Sequence, residues 1–256
     1  VYDDYIMERY RKGVKTNNPE PEFKFSAPVF PKKNIFKNLK SISELPKSHP
    51  ARGLVEKRNI PQERCADLFL CPDFYGFSNL LVKNKFSPSS CDHPRLLIPF
   101  RDENGEVFAY QGRAFGSEQP RYITVKLDDN ADKIYGLDRV DKTKKIFVVE
   151  GPIDSMFLDN CIAVAGADFS KNLIDGELVI IYDNEPRNKE ICKQIEKTIT
   201  QGQTIVIWPN HVKQKDINDM IIAGYTKQDL ETIIKNNTFS GAEAQLKLAE
   251  WRKINA

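Results

Sequence analysis

The chain lacks any apolar run approaching the roughly 20 residues that cross a bilayer as a helix, and no basic-then-apolar leader opens it, so neither a membrane span nor a secretory signal is expected. It starts at Val1 without a methionine, which points to a piece of something longer. Cysteine is sparse and unpaired. Cys65, Cys71, Cys91, Cys161 and Cys192 form no C-x-x-C pair and have no histidine at ligand spacing, which argues against a zinc site in this chain. Their odd number, without a secretory context, also argues against a disulfide framework and for reduced thiols in the cytoplasm. Histidine is scarcer still: His49, His93 and His211 stand far apart beside polar residues or proline, so surface or turn roles are expected for them. Internal repeats and low-complexity tracts are absent.

What is present is the balance of a globular protein, 40% hydrophobic and 29% charged, long enough for two subdomains. The net charge of +2 hides an asymmetry. Residues 1–149 carry 26 basic and 20 acidic side chains, and residues 150–256 carry 12 and 16, so the first part is +6 and the second −4. A basic half joined to an acidic half suits a polyanion held beside metal-binding carboxylates.

Residues 1–45 read as a linker: a short charged helical stretch, Tyr2 to Lys12, then a run through Pro19, Pro21, Pro28 and Pro31 with many lysines. Residues 46–144 read as a small basic α+β subdomain. Helices are expected over Ala51–Arg58 and Pro61–Phe69, then a hairpin of Arg95–Arg101 and Val107–Arg113 about the turn Asp102–Gly105, then a strand Arg121–Val125. Residues 145–222 alternate strand and helix as βαβ units do around a parallel sheet. Strands are expected at Ile146–Val149, Ile162–Ala165, Leu178–Tyr182 and Thr204–Trp208, and helices at Ile153–Asp159, Lys189–Gln201 and Asn218–Ala223. Residues 223–256 read as a C-terminal helical segment, and Trp208 and Phe69 as core.

The chemistry lies where apolar strands run out into acid. Val149 is followed by Glu150, with Asp154 on the first turn of the next helix. Tyr182 is followed by Asp183 and Glu185, which point the same way if the chain stays extended. Asp216 and Asp219 follow the last strand. The C-terminal ends of adjacent parallel strands share one crevice, so these groups can converge. Each alone is commonly a helix cap; the set in this order matches what magnesium takes, a few carboxylates plus substrate phosphates, and so suits phosphoryl transfer.

Glu150-Gly151 after one strand and Asp183-x-Glu185 after another resemble the Toprim domain of bacterial-type primases, topoisomerases and several nucleases. The resemblance implies catalytic roles for Glu150, Asp183 and Glu185. It implies metal-ligand roles for the same three with Asp216 and Asp219, and makes Asp154 a secondary acid. Two departures stand out: the usual Asp-x-Asp has Glu185 at its second place, and Asn218 stands where a second Asp is common. The preceding motifs, Arg95 to Gly105, Gln111-Gly112-Arg113-Ala114, Pro120-Arg121-Tyr122-Ile123 and Ile134-Tyr135-Gly136-Leu137, are similar in order and spacing to the basic subdomain of bacterial-type primases. Topoisomerases lack that module. Several phrases look closest to primases of T-even-like bacteriophages, in which a zinc-binding domain precedes this core.

The implied fold is an α/β Toprim-type parallel sheet with helices on both faces, preceded by the basic α+β subdomain and followed by helices. The implied activity is synthesis of RNA primers on single-stranded DNA from ribonucleoside triphosphates, with magnesium or manganese as cofactor. A replicative helicase is the implied partner, in the cytoplasm, the host cell's if the chain is viral. Arg113 and Arg121 are the foremost candidates for phosphate contact. Arg95, Lys126 and Lys133 are further candidates, and Tyr122 either stacks a base or packs. A Toprim nuclease or topoisomerase-like enzyme, and a non-catalytic helicase-bound adaptor, are the alternatives.

Overall fold

The structure, a computed structural model, describes residues 7–8, 34–87, 91–166, 169 and 174–253. The chain divides into two compact units, residues 1–33 and 34–256. In the first, Met7 and Glu8 are described, both helical; the rest of the expected Tyr2–Lys12 helix and of the proline-rich run before Asn34 lies outside the described residues.

In the second unit the expected linker ends early. Residues 34–45 are packed: Phe36 is 2% exposed and stacks on Phe69 at 5.1 Å, and Ile42 and Leu45 are buried. Strand β1 (Lys40–Ser41) pairs with β2 (Phe69–Cys71), and Ser41 and Glu44 form a capping box on a single 3-10 turn. Apolar residues spaced among the lysines carry this segment into the core, a pattern that composition alone reads as tether.

Strands β1, β2, β3 (Arg95–Arg101), β4 (Val107–Ala114) and β5 (Tyr122–Lys126) form a five-stranded antiparallel sheet in chain order. The β3–β4 hairpin turns at Gly105, whose φ of +77° glycine adopts without strain. The helix expected over Pro61–Phe69 stops at Cys65, giving α2 (Gln62–Cys65) after α1 (Pro50–Lys57). Phe69 instead enters β2, because its neighbour β3 offers an unpaired edge and backbone hydrogen bonding there outweighs four more residues of helix. Helix α3 (Phe74–Leu81) was not apparent from the sequence. Its Phe74 ring covers Gly112 of β4 so closely that a Cβ there would stand 2.2 Å from the ring.

The second sheet has six strands in the order β11-β10-β9-β7-β8-β6. Its centre is parallel: β7 (Ile146–Val149), β8 (Cys161–Val164), β9 (Leu178–Ile180) and β10 (Thr204–Val206). Short antiparallel strands close both edges, β6 (Ile134–Tyr135) on β8 and β11 (Thr238–Phe239) on β10. Helix α4 (Pro152–Ser155) is shorter than expected. Helix α5 (Lys189–Thr200) is capped by Asn188 and buries Ile191, Ile195, Thr198 and Ile199 on one stripe. Helices α6 (Ile217–Ile222), α7 (Lys227–Asn236) and α8 (Gly241–Trp251) follow. The segment after residue 223 is no appendage, since β11 completes the sheet and α8 packs on α5 and β11. Among the described residues no helix is long and apolar enough to cross a membrane.

Candidate active site

Three parallel strands deliver acid to the same end of the sheet. Glu150 follows β7, Asp183 lies three residues beyond β9, and Asp216 caps α6 after β10, its Oδ1 accepting from the Asp219 amide at 2.7 Å. Asp154, on α4, accepts from the Asn218 amide at 2.9 Å, and its other oxygen folds back over Gly151, where a Cβ would stand 2.5 Å from it. Glycine at 151 is therefore what lets the Asp154 carboxylate turn toward the strand tips. The Asp183 amide in turn donates to Glu150 Oε1 at 3.4 Å.

These acids line one cavity of about 520 Å³, with Asp219 at its margin. The antiparallel module forms the facing wall through Arg58, Arg121, Tyr122, Gln111 and Thr124. Arg58, at the end of α1, holds the two sheets together here: its Nη1 donates to Asn218 Oδ1 and its carbonyl accepts from Asn218 Nδ2 at 2.8 Å. Asn218 is 1% exposed, so both hydrogen bonds are made away from water. This explains the amide where an acid is common in the resembling family, because a carboxylate at 218 has no N–H to offer the Arg58 carbonyl.

Crowding shows in the proton affinities. Burial first, then the charges of Glu150, Asp154 and Asp216, push Asp183 up to about 8. Burial and then Asp216 push Asp154 up to about 7. Glu150 and Asp216 are also raised, by burial first and then by Glu185 and Asp219 respectively. The cluster is thus short of positive charge. Lys215 supplies part of it, 3.6 Å from Asp183 and 3.2 Å from Glu185. Burial works against its ammonium, yet these two carboxylates outweigh it and raise its proton affinity.

Of the residues singled out in the sequence, Glu150, Asp154, Asp183, Asp216, Asp219, Arg121 and Tyr122 meet at this cavity. Glu185 does not line it; it lines a neighbouring cavity and is tied to Lys215. Arg95 is 0% exposed, its Nη1 donating to the carbonyls of Gly112, Pro120 and Arg121, so it serves the sheet and has no surface to offer a polyanion. Arg113 is 2% exposed under Tyr122, donating from Nε to the phenol oxygen at 2.9 Å. Desolvation lowers its proton affinity. Both arginines were read as candidates for phosphate contact; β3 has both faces covered, which turns Arg95 inward, and the Tyr122 ring lies over Arg113. Lys126 donates to the carbonyl of Asp129, and the Lys133 carbonyl accepts from Ala165 at 3.0 Å; neither lysine lines the cavity. Arg58 and Gln111 were missed. Arg58 reads locally as an ordinary basic residue ending a helix, and nothing in its surroundings signals a partner in α6. Lys215 beside Asp216 was in plain view.

Among the described residues no three His, Cys, Asp or Glu side chains converge into a ready-made metal cage. Oxygen donors shared with substrate phosphates are how magnesium is ordinarily held, so the donor set fits that ion without such a cage.

Parallel strands that bring carboxylates to a cleft walled by a basic antiparallel module define a recognised class. The fold is that of a DNA primase domain from Pseudomonas aeruginosa, with a TM-score of 0.61 over 78% of this chain and 76% of that one at 16% identity. It is equally that of the zinc-binding and RNA polymerase domains of the Aquifex aeolicus primase, with a TM-score of 0.57 and 20% identity over 75% and 57% of the two chains. No family model matches the chain. The DNA primase of Enterobacteria phage T4 is 33% identical over 263 aligned positions, 99% of this chain and 75% of its own length. The chain belongs to the DNA primase family. The DNA primase of Thermotoga maritima is 27% identical over 109 positions, which cover 36% of this chain and 19% of that protein.

Proposed function

We propose that the cavity is the nucleotidyl-transfer site of a Toprim-type primase core, joining ribonucleoside triphosphates into short RNA primers on single-stranded DNA. The observation that carries this reading is the cavity's two-sided lining, with Glu150, Asp183 and Asp216 on strand tips facing Arg58 and Arg121. A nucleotide seated there meets cations at its phosphates and carboxylates at its reacting end. Glu150, with its raised proton affinity, is the group to accept the proton of the attacking hydroxyl, at Oε2, the oxygen that the Asp183 amide does not meet. Arg121, exposed on the facing wall, orients the triphosphate, and Tyr122 beside it offers a face for a base. Lys215 keeps Asp183 and Glu185 in register.

Asp183 and Asp216 are the residues to hold magnesium, or manganese in its place, with Asp219 beside them; Glu150 joins them when it carries no proton, and Glu185, outside the cavity, acts through Lys215. When bound, that ion supplies neutralisation of phosphate charge. Asp154, fixed by the Asn218 amide, acts on Asp183 and Asp216 through its charge. A replicative helicase as partner and the cytoplasm as setting, the host's if the chain is viral, follow from the same reading.

The test is to incubate the chain with single-stranded DNA, four ribonucleotides and magnesium, and look for short RNA. Asp183→Ala should reduce the product by about a hundredfold or more, the equivalent of roughly 3 kcal/mol of transition-state stabilisation, without loss of fold by circular dichroism. Equal yields from variant and parent would sink the assignment.

A further inference from the structure

On the far side of Glu185 from the acidic cleft lies a second cavity, of about 500 Å³, within the range of roughly 300–1,000 Å³ typical of small-molecule sites. Three segments build it: the turn after Glu185, the loop after β10, and the end of α8. Their fit is specific. The Lys253 amide donates to the Pro186 carbonyl at 2.8 Å, Trp251 Nε1 donates to Asn184 Oδ1 at 3.1 Å, and Asn184 Nδ2 donates to the carbonyls of Val212 and Gln214, each at 3.0 Å.

Its chemistry differs from the module around it. The second part of the sequence is net acidic, yet each of the three segments contributes a cation to this rim: Arg187, Lys213 and Lys253, all exposed. None of the three pairs with a carboxylate among the described residues. The one acid in the lining, Glu185, has its oxygens turned to Lys215 at 3.2 Å and Asn188 at 3.2 Å, which removes much of its charge from the cavity. The floor is apolar, from Pro186, Pro209 and Val212. Lys213 Nζ donates to the Asn210 carbonyl on the same rim, which leaves its charge unneutralised; three like charges held together only by the fold over an apolar floor are arranged for an anion with an apolar face.

We propose that this cavity binds a short stretch of a polynucleotide strand lying past the acidic cleft, with successive backbone phosphates on Arg187, Lys213 and Lys253 and a base against the proline floor. The inference rests on the primase reading of the neighbouring cleft. A strand fits better than a free triphosphate for two reasons. The cations are spread over three chain segments instead of focused on one point, as suits a backbone passing by. And the wall of Glu185, Asn184 and Lys215 separates them from Asp183, where the reacting phosphates belong.

The test uses the full chain and the triple variant Arg187→Ala, Lys213→Ala, Lys253→Ala, whose side chains are exposed and leave the core untouched. Anisotropy of a labelled oligo(dT) is followed across potassium chloride concentrations, with ATP as competitor in a second arm. The variant should melt at the parent's temperature, and its log-log salt slope should fall by about 2, at roughly 0.7 per lost phosphate contact on a single strand. An unchanged slope overturns the proposal, and so does loss of ATP binding with oligo(dT) binding intact, which makes the cavity a mononucleotide site. If the parent itself binds no oligo(dT), the primase reading of the cleft fails along with it; a parent that binds with the variant's slope leaves that reading standing and sinks only this one.

Discussion

In the antiparallel sheet, charge is drawn inward: Arg95 and Arg113 lie inside, fastened to carbonyls and to a phenol. In the parallel sheet it is pushed to the tips, where Glu150, Asp183 and Asp216 follow strands that are themselves almost wholly buried and apolar. Short connections return β3 to β4 and β4 to β5, so the ends of these strands are spent on turns, and the charges of Arg95 and Arg113 find partners within the layer. Parallel strands all finish at the same edge, and whatever follows them accumulates in one crevice. Basic character in the first half of the sequence therefore does not say which cations meet a polyanion, since Arg95 and Arg113 are buried while Arg58 and Arg121 line the cavity, whereas acidic character in the second half is a good guide to the cleft.

The comparison breaks most visibly under substitution. Arg95→Ala should lower stability by roughly 2–3 kcal/mol, near the top of ordinary single-residue effects, through lost packing and three abandoned carbonyls. Asp183→Asn should leave the metal-free protein as stable as the parent or more so, because it relieves repulsion from Glu150, Asp154 and Asp216. Urea titrations of both variants check this, and a destabilised Asp183→Asn would show that the acids are structural after all.

A smaller effect sharpens the same contrast through pH. Asp183 and Asp154 bind protons more tightly in the fold, at about 8 and about 7, than at their ordinary value of 3.8. Groups raised in this way stabilise fully below their unfolded value and lose that contribution as pH climbs through the folded one. The metal-free protein should thus melt at progressively lower temperature between about pH 4 and about pH 8, and saturating magnesium should flatten the decline. Differential scanning calorimetry with and without the ion decides. Smallest of all, Arg121→Ala should cut the salt slope for single-stranded DNA by about 0.7, whereas Arg113→Ala, buried under Tyr122, should change melting temperature and leave the slope nearly where it was.

Legibility followed the same divide. Ile146–Val149 and Leu178–Tyr182 announce themselves as apolar runs, and the acids behind them needed only the rule that parallel strands finish together, so most of the cleft was readable. Strands β6 and β11, two residues each, have no periodicity to read; they exist because β8 and β10 had edges to satisfy. The inward turn of Arg95 was hidden because alternation within a strand identifies a solvent face only when there is one, and β3 has none. Phe36, Ile42 and Leu45 were hidden among lysines and prolines. Arg58 was invisible for a different reason, since its meaning lies in a residue 160 positions away.

That last contact sets an order of events. Joining Arg58 to Asn218 closes a loop of 160 residues, and such closures come after local structure because chain entropy must be spent before the contact returns anything. Either sheet can reach its own pairing first. The carboxamide of Asn218, whose amide also fixes Asp154, finds its partner only when both sheets stand formed and docked. Competence is thereby tied to completion: while this chain is still emerging from the ribosome it has the facing wall and no carboxylates at strand tips, and half refolded it has both without the contact that docks them.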